Sequence, residues 1–310
     1  MGSGPGPLPD GKRFRANHPL APLTTLGLGG PADWFIEASG EEELLGALAA
    51  ARRSGLPVTL LGGGSNVLVS DQGIRGAVIR VKGGGARQVD RRTVRAFAGV
   101  TVNGLVRWCI QRGFAGLEAW AGTPGTVGGA IHGNAHFGGR EVGEVVTGLR
   151  FADDAARVES VRAEAVAFGP GGRALAGRGR VLLSADFGVQ PEDPAVLRRR
   201  ARASLAFRKR TQPLAAPSAG CAFRNPDPEE ASLPPDVPCA AGALLDRAGM
   251  KGARVGGARV SEIHANFLTA APGATAADVH ELLGRCQAAV AAAFGVELAP
   301  EMILLGDFPS

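Results

Sequence analysis

The sequence predicts a mixed fold of helices and strands in two or three domains, and three observations lead to it. The chain of 310 residues is 45% hydrophobic and 20% charged, a composition typical of soluble globular proteins. Segments with helix signals are interspersed with short β-rich runs. No apolar run reaches the roughly eighteen residues that a membrane-spanning helix needs, so we expect no membrane partner.

The first block of the chain indicates helix, strand, loop and strand in that order. Residues 41–55 predict a helix, because leucines recur on one face, acidic residues stand at the start, arginines stand near the end and Gly55 closes the segment. Residues 57–61 are β-rich, the glycine loop 62–66 follows, and residues 67–70 are again β-rich.

Later segments continue the mixture. Thr275 and Asp278 stand before a long helical segment at the spacing of a capping box. The predicted strands are 94–98, 181–187 and 266–269, and the predicted helices are 102–113, 240–248 and 278–294.

The N-terminal segment and the cysteines indicate where in the cell the protein is located. Residues 1–18 are rich in glycine and proline and lack an apolar core, so we expect a disordered extension and no signal peptide. The four cysteines are too widely spaced for a zinc or iron–sulfur motif and too few for a disulfide framework. We therefore expect no metal and a reducing, cytoplasmic location. The net charge of +5 favours anionic partners.

Residues 197–210 are the most basic part of the chain and predict an amphipathic helix. Its apolar positions are Leu197, Ala201, Leu205 and Phe207, which alternate loosely with arginines. No aromatic-stacking motif or helix-turn-helix pattern accompanies the charge. We therefore favour a solvated helix face and expect no nucleic-acid partner.

Two glycine clusters, at 62–66 and 122–134, are candidates for close approach to a ligand. Backbone N–H groups in a glycine loop can converge on an anion, because no Cβ blocks the approach. For the first cluster a simple turn is an equally good interpretation. A Rossmann site is excluded because residues 67–69 continue as a strand, and a P-loop because no Gly-Lys-Ser/Thr follows. The second cluster offers bare backbone either to a flat ligand or to a packed strand.

Six segments of the sequence carry a family resemblance. They are Thr-Thr-Leu-Gly-Leu-Gly-Gly-Pro-Ala at 24–32, Leu-Gly-Gly-Gly-Ser-Asn-Val-Leu at 61–68, Gly-Thr-Pro-Gly-Thr-Val-Gly-Gly-Ala-Ile-His-Gly-Asn-Ala at 122–135, Ala-Gly-Cys-Ala-Phe-Arg-Asn-Pro at 219–226, Val-Ser-Glu-Ile-His-Ala-Asn-Phe at 260–267 and Leu-Ala-Pro-Glu-Met-Ile-Leu-Leu-Gly at 298–306. In this order they resemble the signature segments of the UDP-N-acetylenolpyruvoylglucosamine reductase (MurB) family. One such segment is weak evidence, and six in order are strong.

The resemblance implies an α+β fold, with a vanillyl-alcohol-oxidase/PCMH-like FAD-binding unit of two subdomains and a C-terminal α+β substrate-binding domain. The implied boundaries are 1–18 for the extension, 19–84 and 85–213 for the FAD-binding subdomains, and 214–310 for the C-terminal domain. It also implies reduction of UDP-N-acetylglucosamine enolpyruvate in peptidoglycan synthesis, with FAD and with NADPH as the hydride donor. We expect a monomer.

The family's cofactor segments carry over position by position. The implied FAD contacts are Leu61, Gly62, Gly63, Gly64, Ser65, Asn66, Gly122, Thr123, Pro124, Gly125, Gly128, Gly129, Asn134 and Val181.

The implied chemistry needs a proton donor and a group that stabilises negative charge. Hydride addition to the terminal CH₂ of the enolpyruvyl ether leaves that charge on the carbon bearing the carboxylate. The family's donor, a Ser or Cys, falls on Cys221, and an ordinary thiol is mostly protonated at neutral pH. An inert buried cysteine is the alternative interpretation. The family's C-terminal glutamate falls on Glu301, with Glu297 as a nearby decoy.

One family element is missing. The family places an arginine in a Tyr-Arg-x-Ser motif after a phenylalanine, whereas here Phe168 is followed by Gly-Pro-Gly-Gly-Arg-Ala-Leu. We assign the role to Arg173, with Arg178 and Arg180 as weaker candidates. The departure keeps open a catalytically impaired protein that binds flavin or the UDP-sugar, and another flavin oxidoreductase of the same superfamily.

The family's UDP-sugar contacts fall on four residues of this chain. Arg208, Arg224, Asn225 and His264 match those positions, and a fork-shaped arginine suits a diphosphate. Surface arginines and a satisfied core histidine are the plainer alternatives. The chain contains no tyrosine, so it lacks the tyrosines with which some members close over the substrate.

Overall fold

The computed structural model describes residues 14–153, 155–166, 168, 179–229, 231 and 233–308. The strands are β1 Arg15–Pro19, β2 Pro31–Ala38, β3 Val58–Leu61, β4 Val67–Val69, β5 Ile74–Val81, β6 Ala86–Asp90, β7 Thr93–Phe97, β8 Phe114–Ala115, β9 His136–Phe137, β10 Arg140–Glu141, β11 Val146–Ala152, β12 Val158–Arg162, β13 Val181–Gly188, β14 Gln190–Pro191, β15 Ser218–Cys221, β16 Arg254–Val255, β17 Ala258–Val260, β18 Phe267–Ala270 and β19 Ile303–Leu305. The α-helices are α1 Glu41–Arg53, α2 Val102–Gln111, α3 Val127–His132, α4 Pro194–Thr211, α5 Ala241–Arg247 and α6 Ala276–Phe294.

The chain divides into two compact units that alternate along the sequence. Of the described residues, the first unit contains 14–15, Trp34–Gly63 and Gly76–Arg208, and the second contains Ala16–Asp33, Gly64–Arg75 and 209–308. Each unit has a hydrophobic core of its own. The predicted domain boundaries describe a different partition and stay a prediction.

The first unit is built on two sheets. β3 pairs in parallel with β5, and β5 pairs in turn with β2. The larger sheet is antiparallel, with five strands in the order β12-β11-β13-β7-β6. Its central strand β13 is buried along most of its length, as expected for a strand with cover on both faces.

The helices α1 and α2 of the first unit start and end at the predicted signals. Leu44, Ala47, Leu48 and Ala51 are buried on one face of α1 at helical spacing, and three glutamates occupy its first turn. α2 ends two residues before Gly113, whose φ of +71° is the left-handed conformation that glycine adopts freely.

The second unit has a four-stranded antiparallel sheet in the order β15-β18-β17-β16, against which α6 packs. β4 and β19 form a separate parallel pair, with Val67 opposite Ile303. β4 directly follows the first glycine loop, so the predicted strand, loop and strand are confirmed.

The long helix α6 has its predicted capping box. Thr275 Oγ1 accepts from the N–H of Asp278, and the Asp278 carboxylate accepts from the N–H of Thr275. Asp71 adds a second cap, because its two carboxylate oxygens accept from the N–H groups of Ala276 and Ala277, each at 2.9 Å. Gly295, with φ of +67°, ends the helix.

Two expectations are corrected. The disordered extension was expected to run to His18, but Arg15–Pro19 form β1, because strand pairing satisfies backbone groups whatever the local composition. The apolar face expected for 197–210 is also partly wrong. Leu205 and Phe207 are 37% and 48% exposed, whereas Arg208 is buried. The burial of Arg208 follows from its tertiary contacts, described below.

The structure also bears on membranes. Among the described helices, none combines the length and the apolar character needed to cross a bilayer.

Candidate active site

In the first unit, the two glycine segments are in close contact with each other. Gly62 and Gly63 follow the buried end of β3, and a Cβ built on Gly62 would lie 2.5 Å from Thr126 Oγ1. A Cβ on Gly63 would lie 2.6 Å from the Cα of Gly125. No other residue type fits at Gly63 without moving backbone, so the absence of side chains creates this contact.

Several backbone N–H groups at this contact have no acceptor in the part of the chain that the structure describes. Within the described residues, the N–H groups of Gly62, Gly63 and Gly125 find no acceptor. These glycines are partly exposed, so their N–H groups can donate to water or to a bound anion.

The second glycine segment continues into α3, and close packing beside a strand is seen at one of its glycines. A Cβ on Gly128 would lie 3.1 Å from Ala98 Cβ, so Gly128 packs closely beside β7. A Cβ on Gly129 would lie 3.7 Å from Thr126 Oγ1, and Gly129 is exposed. Pro124 is exposed, and Thr126 caps α3 by accepting from the N–H of Gly129.

Arg208 reaches the same loop from α4. Its Nη2 donates to Thr123 Oγ1 at 2.9 Å, and its guanidinium carbon lies 3.8 Å from the ring centroid of Phe137. A Cβ on Gly122 would lie 2.6 Å from Leu205 and 3.3 Å from Arg208 Cδ. These contacts explain how an arginine becomes buried in place of an apolar side chain.

Asn134 and Val181 have structural partners in the first unit. Asn134, at φ of +43°, donates to the Glu141 carboxylate at 2.6 Å and accepts from the N–H of Gly143 at 3.0 Å. Val181 is buried and pairs with Ala152 across β13 and β11. The Asn134 side chain therefore fixes the turn after α3.

In the second unit the first glycine loop continues through Gly64, Ser65 and Asn66. The carbonyl of Gly64 accepts from the N–H and the hydroxyl of Thr25, at 2.9 and 3.3 Å. A Cβ on Gly64 would lie 2.0 Å from the carbonyl oxygen of Leu23. The N–H groups of Ser65 and Asn66 find no acceptor within the described part of the chain.

Cys221 and Glu301 are brought together in the second unit. The N–H of Glu301 donates to the carbonyl of Ala222 at 2.8 Å, and Phe223 forms a β-bridge with Pro300. Asn66 joins them, because its Nδ2 donates to the carbonyl of Glu301 at 3.1 Å. Both Cys221 and Glu301 are partly exposed.

Asn266 holds the Cys221 segment from the other side. Its carboxamide accepts from the N–H of Phe223 at 2.9 Å and donates to the carbonyl of Phe223 at 2.7 Å. The carbonyl of Asn266 also accepts from the N–H of Ala222 at 2.8 Å. The buried side chain of Asn266 thus pairs with the backbone of Phe223, while its main-chain carbonyl pairs with Ala222.

Three further predicted residues lie in the second unit. The Arg224 Nε is buried and has no hydrogen-bond partner among the described residues. Asn225 Oδ1 accepts from the N–H of Ala241 at 3.0 Å, which leaves its Nδ2 available while it caps α5. His264 Nδ1 accepts from the N–H of Asn266 at 3.2 Å, and burial together with the nearby Lys251 lowers the pKa of His264. Its Nε2 therefore carries the proton.

The comparisons with known proteins agree over nearly the whole chain. Residues 32–162 match the family described as an FAD binding domain, and residues 212–305 match the C-terminal domain of UDP-N-acetylenolpyruvoylglucosamine reductase. A UDP-N-acetylenolpyruvoylglucosamine reductase from Heliobacterium modesticaldum is 37% identical over 95% of this chain and 91% of its own length. This chain belongs to the UDP-N-acetylenolpyruvoylglucosamine reductase family.

Other relatives extend this result. UDP-N-acetylenolpyruvoylglucosamine reductase 2 of Symbiobacterium thermophilum is 38% identical over 97% of this reductase and 94% of its own length. The crystal structure of the enzyme from Thermus caldophilus matches with a TM-score of 0.76 at 30% identity, covering 94% of this chain and all of that one. The α+β fold with an FAD-binding unit and a C-terminal reductase domain is confirmed.

The residues of this reductase fit FAD. The close contact of Gly63 with Gly125 leaves no room for side chains, and N–H groups on both glycine segments that have no acceptor among the described residues suit the negative charge of a pyrophosphate. This reductase is an FAD-dependent oxidoreductase, and flavin supplies hydride chemistry when bound.

The arginine of the missing motif is unplaced. Arg173 and Arg178 lie outside the described residues. Arg180 forms an ion pair with Glu159 at 3.1 Å. Phe168, the last described residue before 179, packs beside Gly143, where a Cβ would lie 2.7 Å from its ring.

The sequence did not predict the residues that hydrogen-bond to the second glycine segment and to the Cys221 segment and so support them. Thr126, Asn103 and the pairing role of Asn266 were not foreseen as parts of the site. Asn103 accepts from the N–H of Gly122 at 2.6 Å. Its place near the start of a predicted helix was a local signal, but the loop it contacts is set by tertiary structure.

Proposed function

We propose that this reductase uses NADPH, through FAD, to reduce UDP-N-acetylglucosamine enolpyruvate to UDP-N-acetylmuramate in the cytoplasm, as a step of peptidoglycan synthesis. Family membership across both matched regions supports this reaction. The observation that carries it within the second unit is the hydrogen bond from Glu301 N–H to the Ala222 carbonyl, which makes a glutamate the neighbour of Cys221.

Cys221 is the proposed proton donor. After hydride reaches the terminal CH₂ carbon, the carbon bearing the carboxylate holds negative charge and must gain a proton. The Cys221 thiol transfers its proton to that carbon and becomes a thiolate. Its backbone is held by the pairing of β15 with β18, in which Cys221 lies opposite Phe267. The main chain that carries the thiol is therefore fixed in position.

Glu301 is proposed to stabilise or protonate the enolic intermediate. Its main chain is fixed on both sides, by Ala222 at the N–H and by Asn66 Nδ2 at the carbonyl. The fixed main chain holds the Glu301 residue in one place beside the Cys221 segment, as a preorganised group requires. Glu297, which precedes β19, is exposed, and no such pair of main-chain bonds holds it among the described residues.

The UDP part is proposed to contact Arg224, Asn225 and His264. The buried Nε of Arg224 has no acceptor among the described residues, which supports an anionic ligand there, because a buried guanidinium nitrogen without an acceptor is costly. The Asn225 Nδ2 and the His264 Nε2 offer neutral N–H donors. Arg208 stays a proposed contact, although Thr123 already accepts one of its N–H groups. Arg173 is proposed to reach the substrate carboxylate.

The test is substrate-dependent oxidation of NADPH by purified, flavin-loaded protein. We expect Cys221→Ala and Glu301→Ala each to lower kcat by about a hundredfold. Cys221→Ser should recover much of the rate, since a hydroxyl also donates a proton. Cys239→Ala and Glu297→Gln are matched controls in the same unit and should keep the wild-type rate.

Two results decide against the proposal. Wild-type kcat in both Cys221→Ala and Glu301→Ala would refute the assigned roles. A wild type that binds FAD and the UDP-sugar but does not oxidise NADPH would favour the impaired binding protein, which the missing Tyr-Arg-x-Ser motif motivates. Replacing NADPH with NADH in the same assay tests the hydride donor.

A further inference from the structure

Asn103 lies in the first turn of α2 and bonds to two successive residues of the second glycine segment. Its Oδ1 accepts from the N–H of Gly122 at 2.6 Å, and its Nδ2 donates to the carbonyl of Thr123 at 3.3 Å. One planar carboxamide therefore bonds the peptide before Gly122 and the peptide after Thr123, which restricts the orientation of both.

Backbone bonds tie the start of α2 to the rest of this segment. Val102 donates to the carbonyl of Gly125 at 3.1 Å, and Val127 donates to the carbonyl of Val100 at 2.8 Å. The main chain next to Asn103 is thus already bonded to this segment at Gly125 and Val127. The two side-chain bonds of Asn103 add a further attachment at Gly122 and Thr123.

A second element supports the same residues from α4. Ser204 Oγ donates to the carbonyl of Ala119 at 2.6 Å, and one helical turn later Arg208 Nη2 donates to Thr123 Oγ1 at 2.9 Å. α2 therefore bonds to main-chain groups of the segment. α4 bonds to the carbonyl of Ala119, shortly before the segment, and to the hydroxyl of Thr123 within it.

These bonds matter because glycine has an unusually large conformational freedom to lose when a loop becomes ordered. Gly122 and Gly125 have φ of +85° and +96°, and glycine loses more conformational freedom on ordering than any other residue. A loop ordered before the ligand arrives does not need to lose that freedom on binding. The N–H of Gly125, unused within the described residues, is the group that such ordering presents.

We propose that Asn103 is a positioning residue of the FAD site. It orders Gly122 and Thr123 in advance, so that the contact between Gly125 and Gly63 is already formed when FAD binds. The proposal rests on the FAD-binding domain and is independent of which substrate the reductase takes.

The test compares Asn103→Leu and Asn103→Asp with Thr101→Ala. The leucine removes both bonds, and the aspartate keeps the acceptor for Gly122 but turns a second oxygen towards the carbonyl of Thr123. Thr101 caps the same helix end, because its Oγ1 accepts from the N–H of Gly104 at 3.1 Å, and its replacement leaves both Asn103 bonds in place. It controls for loss of helix stability.

The measurements are FAD release from diluted holoenzyme and the visible circular dichroism of the bound flavin. We expect FAD to bind about tenfold more weakly in both Asn103 variants, with an altered flavin spectrum. Asn103→Leu loses both hydrogen bonds, and Asn103→Asp loses the bond to the Thr123 carbonyl and sets a second oxygen against it. Thr101→Ala should lower the melting temperature yet change the FAD affinity by less than about twofold.

Three outcomes would overturn the proposal. One is a wild-type FAD affinity and spectrum in Asn103→Asp, which decides the matter if Asn103→Leu fails to fold. Another is an equal loss in Thr101→Ala. The third is a wild type without flavin, which also contradicts the cofactor. Failure of the substrate assignment alone leaves these measurements unchanged.

Discussion

The N–H of Glu301 donates a hydrogen bond of 2.8 Å to the carbonyl of Ala222, the residue after Cys221. The same pairing continues through Arg224, whose N–H donates to the carbonyl of Ala299 at 2.9 Å. Main-chain bonds therefore join these distant segments. Substitutions at Cys221 and Glu301 should leave the backbone in place, which makes them clean probes of chemistry.

Asn266→Ala should destabilise the protein. It removes two bonds to the backbone of Phe223 in a buried place, and the unpaired N–H and carbonyl are then costly. We expect a loss of about 2 to 4 kcal/mol, measured as a shift of the urea unfolding midpoint. Asn225→Ala, which removes an exposed cap, is the control and should cost about 1 kcal/mol. A loss of unfolding free energy for Asn266→Ala no larger than that of the control would contradict a stabilising role for these two hydrogen bonds.

Gly63→Ala should weaken FAD binding by at least about tenfold, because its Cβ would lie 2.6 Å from the Cα of Gly125 and backbone must move. The purified protein is expected to be pale or colourless. Gly85→Ala is the matched control, since nothing lies within 4 Å of its Cβ. Flavin content per chain, read from the visible absorbance, checks both variants. Full flavin content in Gly63→Ala would show that the glycine contact is dispensable.

Stability should fall as the pH drops below about 6.5, in part through His264. Burial, and then the nearby charge of Lys251, lowers its pKa in the folded protein. The unfolded chain then takes up a proton at a higher pH than the folded one, so acid favours unfolding. Melting temperatures between pH 7.5 and 5.5 measure the effect.

His264→Gln should flatten this dependence, while His136→Gln, at an exposed histidine, serves as the control. Burial also lowers the pKa of His132, so part of the slope should remain. An unchanged slope in His264→Gln would exclude a contribution from His264.

Native cysteine labelling should separate two classes of thiol. Cys109 and Cys286 are buried, and desolvation raises the pKa of each to about 12, so little reactive thiolate forms. Cys221 and Cys239 are partly exposed. With iodoacetamide at pH 8, mass spectrometry of peptides should find label on the second pair alone until denaturant is added. Equal labelling of Cys109 in the native protein would be inconsistent with its burial.

Much of the fold was determined by local sequence. Helices α1, α2 and α6, the strands on either side of the first glycine loop, and the Thr275 capping box follow from periodicity, caps and turn residues, which act within one or two turns of chain. The family resemblance rests on six ordered segments and added the cofactor.

Tertiary structure alone decided which residues support those segments. Arg208 is buried, and Leu205 exposed, because Phe137 and Thr123 meet the guanidinium from distant parts of the chain. Asn103 and Asn266 each bond to backbone far away in sequence. No periodicity encodes such partners, since a carboxamide pairs with whichever peptide the fold brings near, and that choice belongs to long-range packing.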